Sequence, residues 1–392
     1  MSQVSVLMVT GAYWPELSGG GLQCRTMIRA LGDRARCRVF TTCTDRSLPA
    51  ESVVEGTPVA RVYVDVARPS TKWRAAMATL QFFAAHSGSF EIVHLHGFSQ
   101  KSILIALLAR LFGKRLVITI HTAGSDEPEG VRALGSLAYW CYSHADQFIA
   151  ISEQIAANYR AAGLPAGRLT IAPNGVDTER FHPASEAERA DARRAIGGLP
   201  PDIPWVLFVG FFSRDKSPDV LFEAWLRSQV AAPGSSALLF VGATESAYYE
   251  VDATIARDIK AEAERRGVSH LVAFTGEMAD VERAYRAADV LVMPSTREAF
   301  GMVLIEAMAS GLPVVATQIA GVTDTIVCPR ENGVLVPARD VDALAAALAD
   351  LVSDGEERRR MGERGRERAV AGYGLEASTR RWLAIYEGAE AR

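Results

Sequence analysis

Two carboxylates, Glu298 and Glu306, bracket an otherwise apolar stretch, Glu-Ala-Phe-Gly-Met-Val-Leu-Ile-Glu-Ala-Met-Ala-Ser-Gly, which ends at Gly311. Ser310-Gly311 followed by Pro313 is a helix stop, and Phe300-Gly301 is a helix start. Glu298 then falls on the loop before a short helix, and Glu306 falls inside it. A carboxylate among Ile305, Ala307 and Met308 is costly to bury unless something hydrogen-bonds it. A first turn reading Gly-Met-Val offers backbone N–H groups and the positive end of a helix dipole, which suit a phosphate. A sugar-side carboxylate, a phosphate-binding helix start and a second carboxylate fit one ligand, a nucleotide diphosphate sugar. The competing reading is a buried helix with a salt-bridged glutamate.

Other polar groups follow apolar runs. Gly19-Gly20-Gly21 comes after the first strand candidate and before a helix, and glycines there let a backbone approach a phosphate closely. They come after Trp14-Pro15, too late for the Gly-x-Gly-x-x-Gly dinucleotide fingerprint, and a plain flexible loop is the alternative. His121 ends the run Ile118-Thr119-Ile120, with helix or loop capping as its bland alternative. His94 and His96 end the preceding strand candidate and read as supporting or structural, because nothing at metal-ligand spacing pairs with them. Asn174-Gly175 demands a tight turn, with Asp177 as a cap and Phe181 as an anchor. In the second half, Gly210 opens a loop whose cations are Arg214 and Lys216. A departing diphosphate needs cations, and the sequence shows no metal cage. Asp340-Val341-Asp342 starts a helical run and reads as an N-cap rather than a metal motif.

Short apolar strands must position these groups. The candidates are Val4–Thr10, Cys37–Thr42, Val59–Val64, Glu91–His96, Leu116–His121, Gln147–Ile151 and Leu169–Ala172. After a break come Trp205–Gly210, Ala237–Gly242, Leu271–Thr275, Val290–Pro294, Pro313–Ala316 and Gly333–Val336. Helical patterns separate them, which is the signature of parallel sheets buried on both faces. The break lies between His182-Pro183 and Pro200-Pro201, around a charged helix over Glu186–Ala195. Glu376 to Glu387 has the period of an amphipathic helix. The expected α/β fold is two doubly wound parallel-sheet domains, 1–183 and 184–375, facing across a cleft, with ligands beyond the carboxyl ends of the strands.

Bulk composition agrees. The chain has 392 residues, too many for one core. With 49% hydrophobic and 22% charged residues it is an ordinary globular sequence. No window approaches the ~18 uninterrupted apolar residues of a membrane span. Val4 to Val9 reads as a first buried strand rather than a signal peptide. Five scattered cysteines without Cys-x-x-Cys point to a reducing cytosol and no structural zinc. The net charge of −4 hides an asymmetry, with 18 basic against 14 acidic residues over 1–183 and 24 against 32 in the remainder. The basic half either faces an anionic membrane or phosphate-bearing acceptor, or is surface noise. Lys72-Trp73-Arg74 to Phe82-Phe83 reads as a buried helix, or as a contact for lipid head groups. The charge-dense 358–368 segment reads as a solvated helix face.

With these residues in hand, the chain resembles glycosyltransferase family 4, the large retaining family of the GT-B fold, over nearly its whole length. The resemblance rests on Gly19–Gly21, His121, Pro173-Asn174-Gly175-Val176-Asp177, Gly210 with Lys216, and Glu298-x7-Glu306, the last being the most specific. It implies two Rossmann-like domains, the first binding acceptor and the second the nucleotide sugar. The helix over about 376–392 would pack back on the first. It also implies metal-independent, cofactor-free hexosyl transfer from a UDP- or GDP-sugar to a glycan or lipid-linked acceptor of a cell-surface polysaccharide. The setting would be the cytoplasm, at the inner membrane face, with no nucleic-acid partner. Gly19, Gly20 and Gly21 would give amides to the diphosphate, and His121 would lie near sugar and acceptor. Lys216 would neutralise the leaving group, and Glu298 would bind sugar hydroxyls. Phe300, Gly301, Met302 and Val303 would offer amides, Glu306 would bind the ribose and Glu277 would border the base. Asn174 and Gly210 complete the donor set. The family's arginine directly after that glycine is replaced by Phe211, and Arg214 is the cation expected to reach back in its place. The other readings are a sugar-nucleotide epimerase of the same fold, for which no acid/base set is found, and a nicotinamide dehydrogenase, which lacks its fingerprint. A degenerate transferase scaffold is the third, supported by Phe211 alone.

Overall fold

The computed structural model describes residues 3–16, 18–65, 67–245 and 251–388. The expected helix end at 389–392 lies outside the described residues. Two compact units divide the chain, one holding 1–175 with 375–392, the other 176–374.

The first unit contains β1 (Val4–Thr10), β2 (Ala35–Cys43), β3 (Glu51–Val54), β4 (Thr57–Tyr63) and β5 (Ile92–His96). It continues with β6 (Arg115–Ile120), β7 (Gln147–Ala150) and β8 (Leu169–Ile171). Their order is β3-β4-β2-β1-β5-β6-β7-β8, parallel except for β3. β1, β5, β6 and β7 are almost wholly buried, as strands of a parallel sheet covered by helices on both faces are. β3 escapes the sequence reading. It is a half-exposed edge strand that returns to β4 through Glu55-Gly56, both at positive φ as a tight hairpin requires. The last helix, Leu375–Glu387, belongs to this unit, and its Trp382, Ile385 and Tyr386 pack with Val6, Met8 and Ile28.

The second unit contains β9 (Trp205–Val209), β10 (Ala237–Val241), β11 (Val272–Phe274), β12 (Val290–Met293), β13 (Val314–Thr317) and β14 (Gly333–Val336). All pair in parallel, in the order β11-β10-β9-β12-β13-β14. This is the 3-2-1-4-5-6 order of a doubly wound dinucleotide-type fold. Phe208, Phe212, Phe240 and Phe274 fill one side of it with edge-on, tilted and stacked rings. The composition break at 182–201 lies inside this unit. Its helix Glu186–Ile196 is fixed by Arg189 and Arg193, which both pair with Asp289. Asp340 N-caps the helix Val341–Ser353 by accepting from Ala343 N, and Asp342 pairs with Arg227. No described helix is long and apolar enough to cross a membrane.

Candidate active site

In each sheet the strand order reverses beside one central strand, and open α/β folds bind ligands in the crevice beyond the strand ends at such a point. In the second unit the reversal lies between β9 and β12. The loop after β9 carries Gly210 to Ser217, and the loop after β12 carries Pro294 to Gly301. Lys216 Nζ meets Glu298 Oε1 at 2.5 Å, and Ser295 Oγ donates to the same oxygen at 3.0 Å. The loops are also tied by Arg297 to Asp215 at 2.8 Å, and by Thr296 N donating to Asp215 O at 2.7 Å. Glu298 is mostly buried, its side chain 12% exposed, whereas Lys216 keeps 28%. The ammonium therefore retains access to an incoming anion.

The helix Met302–Ala309 starts directly after this loop. Its N-cap is Gly301, at φ +97°, a left-handed conformation that glycine adopts without strain. A glycine cap brings no side chain to the first-turn amides, and Phe300 before it is buried edge-on against Tyr373. Glu306 lies within the helix, where the Tyr285 hydroxyl donates to its Oε2 at 2.7 Å. Burial pushes the Glu306 carboxyl above the usual carboxylate range, although Tyr285 and nearby Arg180 pull it down.

In the first unit the reversal lies between β1 and β5. Ser18 caps the helix Gly19–Leu31 by accepting from Gly21 N at 3.0 Å. The three glycines, expected before the helix, are therefore its first turn. A Cβ on Gly21 would stand 2.2 Å from Ala12 O, so only glycine fits there. Gly20, His96, Ser99, Lys101, His121 and Asp126 help wall a cavity of about 260 Å³. Lys101 Nζ donates to Thr42 Oγ1 at 2.9 Å and to Gly11 O at 3.3 Å.

Strand register builds a histidine column on one wall. Side chains alternate across a sheet, so His94 and His96 share a face of β5, while Thr119 and His121 share that of the paired β6. His94 Nε2 lies 2.7 Å from Thr119 Oγ1, and His96 Nδ1 lies 3.1 Å from His121 Nε2. Burial lowers all three: His121 to about 4, His94 to about 3, and His96 well below the imidazole range. Asp126 accepts from the backbone N–H groups of Phe98, His121 and Thr122. Burial still raises its carboxyl.

A family model for group 1 glycosyl transferases matches residues 190–368, and one for glycosyltransferase family 4 matches 17–180. D-inositol 3-phosphate glycosyltransferase of Kribbella flavida is 32% identical over 380 residues, spanning 90% of this chain and 86% of that protein. The chain is a family 4 glycosyltransferase. The namesake protein of Xylanimonas cellulosilytica is 31% identical to this transferase over 93% of its length and 90% of its own. Among solved structures, Anabaena HepE in complex with UDP superposes on the transferase with a TM-score of 0.79 at 19% identity, covering 98% of this chain and all of that one. Sucrose-phosphate synthase of Thermosynechococcus elongatus does so at 0.77 and 25% identity, covering 99% of each. The GT-B architecture is shared with both.

Within the transferase, the second unit gathers Gly210, Lys216, Glu298, Phe300, Gly301, Met302 and Val303 at its β9/β12 crevice, with Glu306 one turn further along the helix. Arg214 is turned elsewhere. Its side chain is 84% exposed and pairs with Asp252, the N-cap of the helix Ala253–Arg265. Glu277 is exposed on the loop after β11. In the first unit Gly20 and His121 share the cavity, whereas Asn174 is buried beyond the end of β8, at the opposite edge of the sheet from β3. Sequence reasoning missed Tyr285, Ser295, Asp126, Lys101 and Arg297. Only Arg297, a cation directly before Glu298, left a readable signal.

Proposed function

We propose that the chain transfers a hexosyl unit from a nucleotide diphosphate sugar to a glycan or lipid-linked acceptor, with retention and without a metal. The observation that carries this reading is the Lys216–Glu298 pair at the β9/β12 crevice, next to a helix start capped by Gly301. Glycosyl transfer passes through an oxocarbenium-like state, so catalysis consists mainly of stabilising the departing diphosphate. Lys216 and the first-turn amides supply that positive potential. Glu298 holds Lys216 and accepts from the sugar hydroxyls, and Glu306 accepts from the ribose. The acceptor oxygen bonds C1 on the face the diphosphate leaves, the C1–O bond to phosphate breaks, and the hydroxyl proton passes to the departing phosphate oxygen. His121 and the Gly19–Gly21 turn serve acceptor, sugar and diphosphate from the first unit. Incubation with UDP- and GDP-hexoses and candidate acceptors tests this reading. A product that keeps the donor's anomeric configuration is expected; inversion, or epimerised donor in place of transfer, would refute it.

The relatives named for D-inositol 3-phosphate favour a second acceptor class, a small phosphorylated polyol. Lys101 on the wall of the first unit's cavity suits such an anion.

A membrane-side location is supported by the helix Pro69–His86. It buries Phe82 and Phe83 but exposes Trp73, Met77 and Leu80 as a stripe, with Lys72 and Arg74 at its start. An apolar stripe flanked by basic residues suits an anionic lipid surface. Co-sedimentation with anionic vesicles is expected to fall severalfold in Trp73→Ala; unchanged co-sedimentation would remove this helix from the interface.

A further inference from the structure

His96 is 8% exposed, and its ring is nearly parallel to that of His121, at 13° between the planes. Its Nδ1 shares one N–H···N contact with His121 Nε2, and its Nε2 is buried with no hydrogen-bond partner among the described residues. Its other side is fixed by His94, stacked at 4.4 Å between centroids. His94 is in turn held by Thr119 and by the Tyr386 hydroxyl, each at 2.7 Å.

Two neutral rings sharing one such contact have two proton arrangements. If His121 Nε2–H donates, His96 carries its proton on Nε2, where the N–H is buried without an acceptor. Orphaned buried N–H groups are rare and costly. If His96 Nδ1–H donates instead, only a ring lone pair remains at that buried position. The tautomer of one imidazole is set by the bond its other nitrogen makes. His121 then has its Nε2 lone pair occupied and its own proton on Nδ1.

We infer that His96 is a positioning residue that locks His121 in the Nδ1–H form, so that His121 meets the substrate as a hydrogen-bond donor and cannot serve as a base. This rests on the reading above that places His121 beside sugar and acceptor. A family 4 site whose leaving phosphate takes the acceptor proton needs no histidine base, and a donor at His121 stabilises an oxygen that gains negative charge.

Nitrogen-15 spectra of the histidine rings in the full-length protein test the inference, with each of the seven histidines assigned by single substitution. His121 is expected to be protonated at Nδ1. His96→Leu is expected to release it to the Nε2–H form and to lower kcat about tenfold, with the donor KM within about twofold. His96→Asn places an amide N–H near the lost Nδ1–H and is expected to restore both the tautomer and kcat. A native His121 protonated at Nε2 overturns the inference, as does a tautomer that His96→Leu leaves unchanged, or an Asn variant as slow as the Leu variant. If His96→Leu fails to fold, the native spectrum alone decides. The tautomer is read without turnover, so absent transfer by the native protein would count against the transferase reading of the site and leave His96 in its role.

Discussion

At the switch point of the first unit the column is made of imidazoles that burial keeps uncharged, His94 and His96 buried and His121 half-buried, beside Asp126, which is tied to three backbone N–H groups. At the switch point of the second unit they are charged and paired, Lys216 with Glu298 and Arg297 with Asp215. The same sheet topology thus presents two kinds of surface. Neutral donors and acceptors suit hydroxyls, whose charge changes little on binding. Paired charges suit a diphosphate, because an ion pair at the mouth of a crevice can open toward an incoming anion without exposing a bare buried charge. On the proposed function, leaving-group stabilisation falls to the second unit and hydroxyl positioning to the first.

The largest effect should come from breaking the charged side. Lys216→Ala and Glu298→Ala are each expected to cut kcat/KM by more than about tenfold, toward the hundredfold or more typical of a lost charge-stabilising contact. Their unfolding temperatures should stay close to native, and near-native turnover in either folded variant would remove the pair from catalysis.

Glu306 sharpens the contrast, because it is a carboxylate kept where burial opposes its charge. Glu306→Gln retains an acceptor for the Tyr285 hydroxyl and removes the charge. Steady-state kinetics should show the donor KM rising several-fold with kcat little changed, and thermal melting should show equal or higher stability. A destabilised variant with native KM would make Glu306 structural only.

Acidification should separate the two units. The column histidines bind protons less readily folded than unfolded, so their contribution to stability is present above about pH 6.5 and is lost as pH falls through about 4 for His121 and about 3 for His94. Glu306 has the opposite sign: its raised pKa favours the fold at low pH, and that contribution is lost as pH rises through the folded value. Hydrogen exchange corrected for intrinsic rate should show β1, β5 and β6 losing protection between pH 7 and pH 5 before β9 and β12 do. Equal loss in both sheets would contradict the neutral-column description.

The frame was legible in the sequence wherever a strand is a continuous apolar run, as in β1, β9 and β10, because burial on both faces leaves no polar alternation to confuse the period. β3 was not, since Glu51-Ser52-Val53-Val54 is a short half-exposed edge whose identity depends on pairing with β4. Glu298 and Lys216 were each readable, but their pairing joins loops 82 residues apart and follows only from β9 lying beside β12. Tyr285 carries no local mark, because a tyrosine that ends at a carboxylate looks like any core aromatic. His96 was readable as a strand-end polar residue, and only the β5–β6 register shows that it touches His121. Arg214 was readable as a cation on the right loop, yet its direction is set by Asp252, whose position depends on where the helix Ala253–Arg265 begins.

That gives the smallest expected effect. Arg214→Ala should lower turnover less than about threefold, because an exposed ion pair contributes little. A loss as large as that of Lys216→Ala would mean that Arg214 leaves Asp252 when donor binds.

Isothermal titration of the native chain and of Lys216→Ala with UDP- and GDP-hexoses tests the charged side most directly. At least one nucleotide diphosphate sugar should bind the native chain and lose about tenfold or more in affinity in Lys216→Ala, which corresponds to about 1.4 kcal/mol or more. Absence of binding by every such sugar, or binding that Lys216→Ala leaves intact, would contradict the assignment of donor recognition to the second unit's crevice.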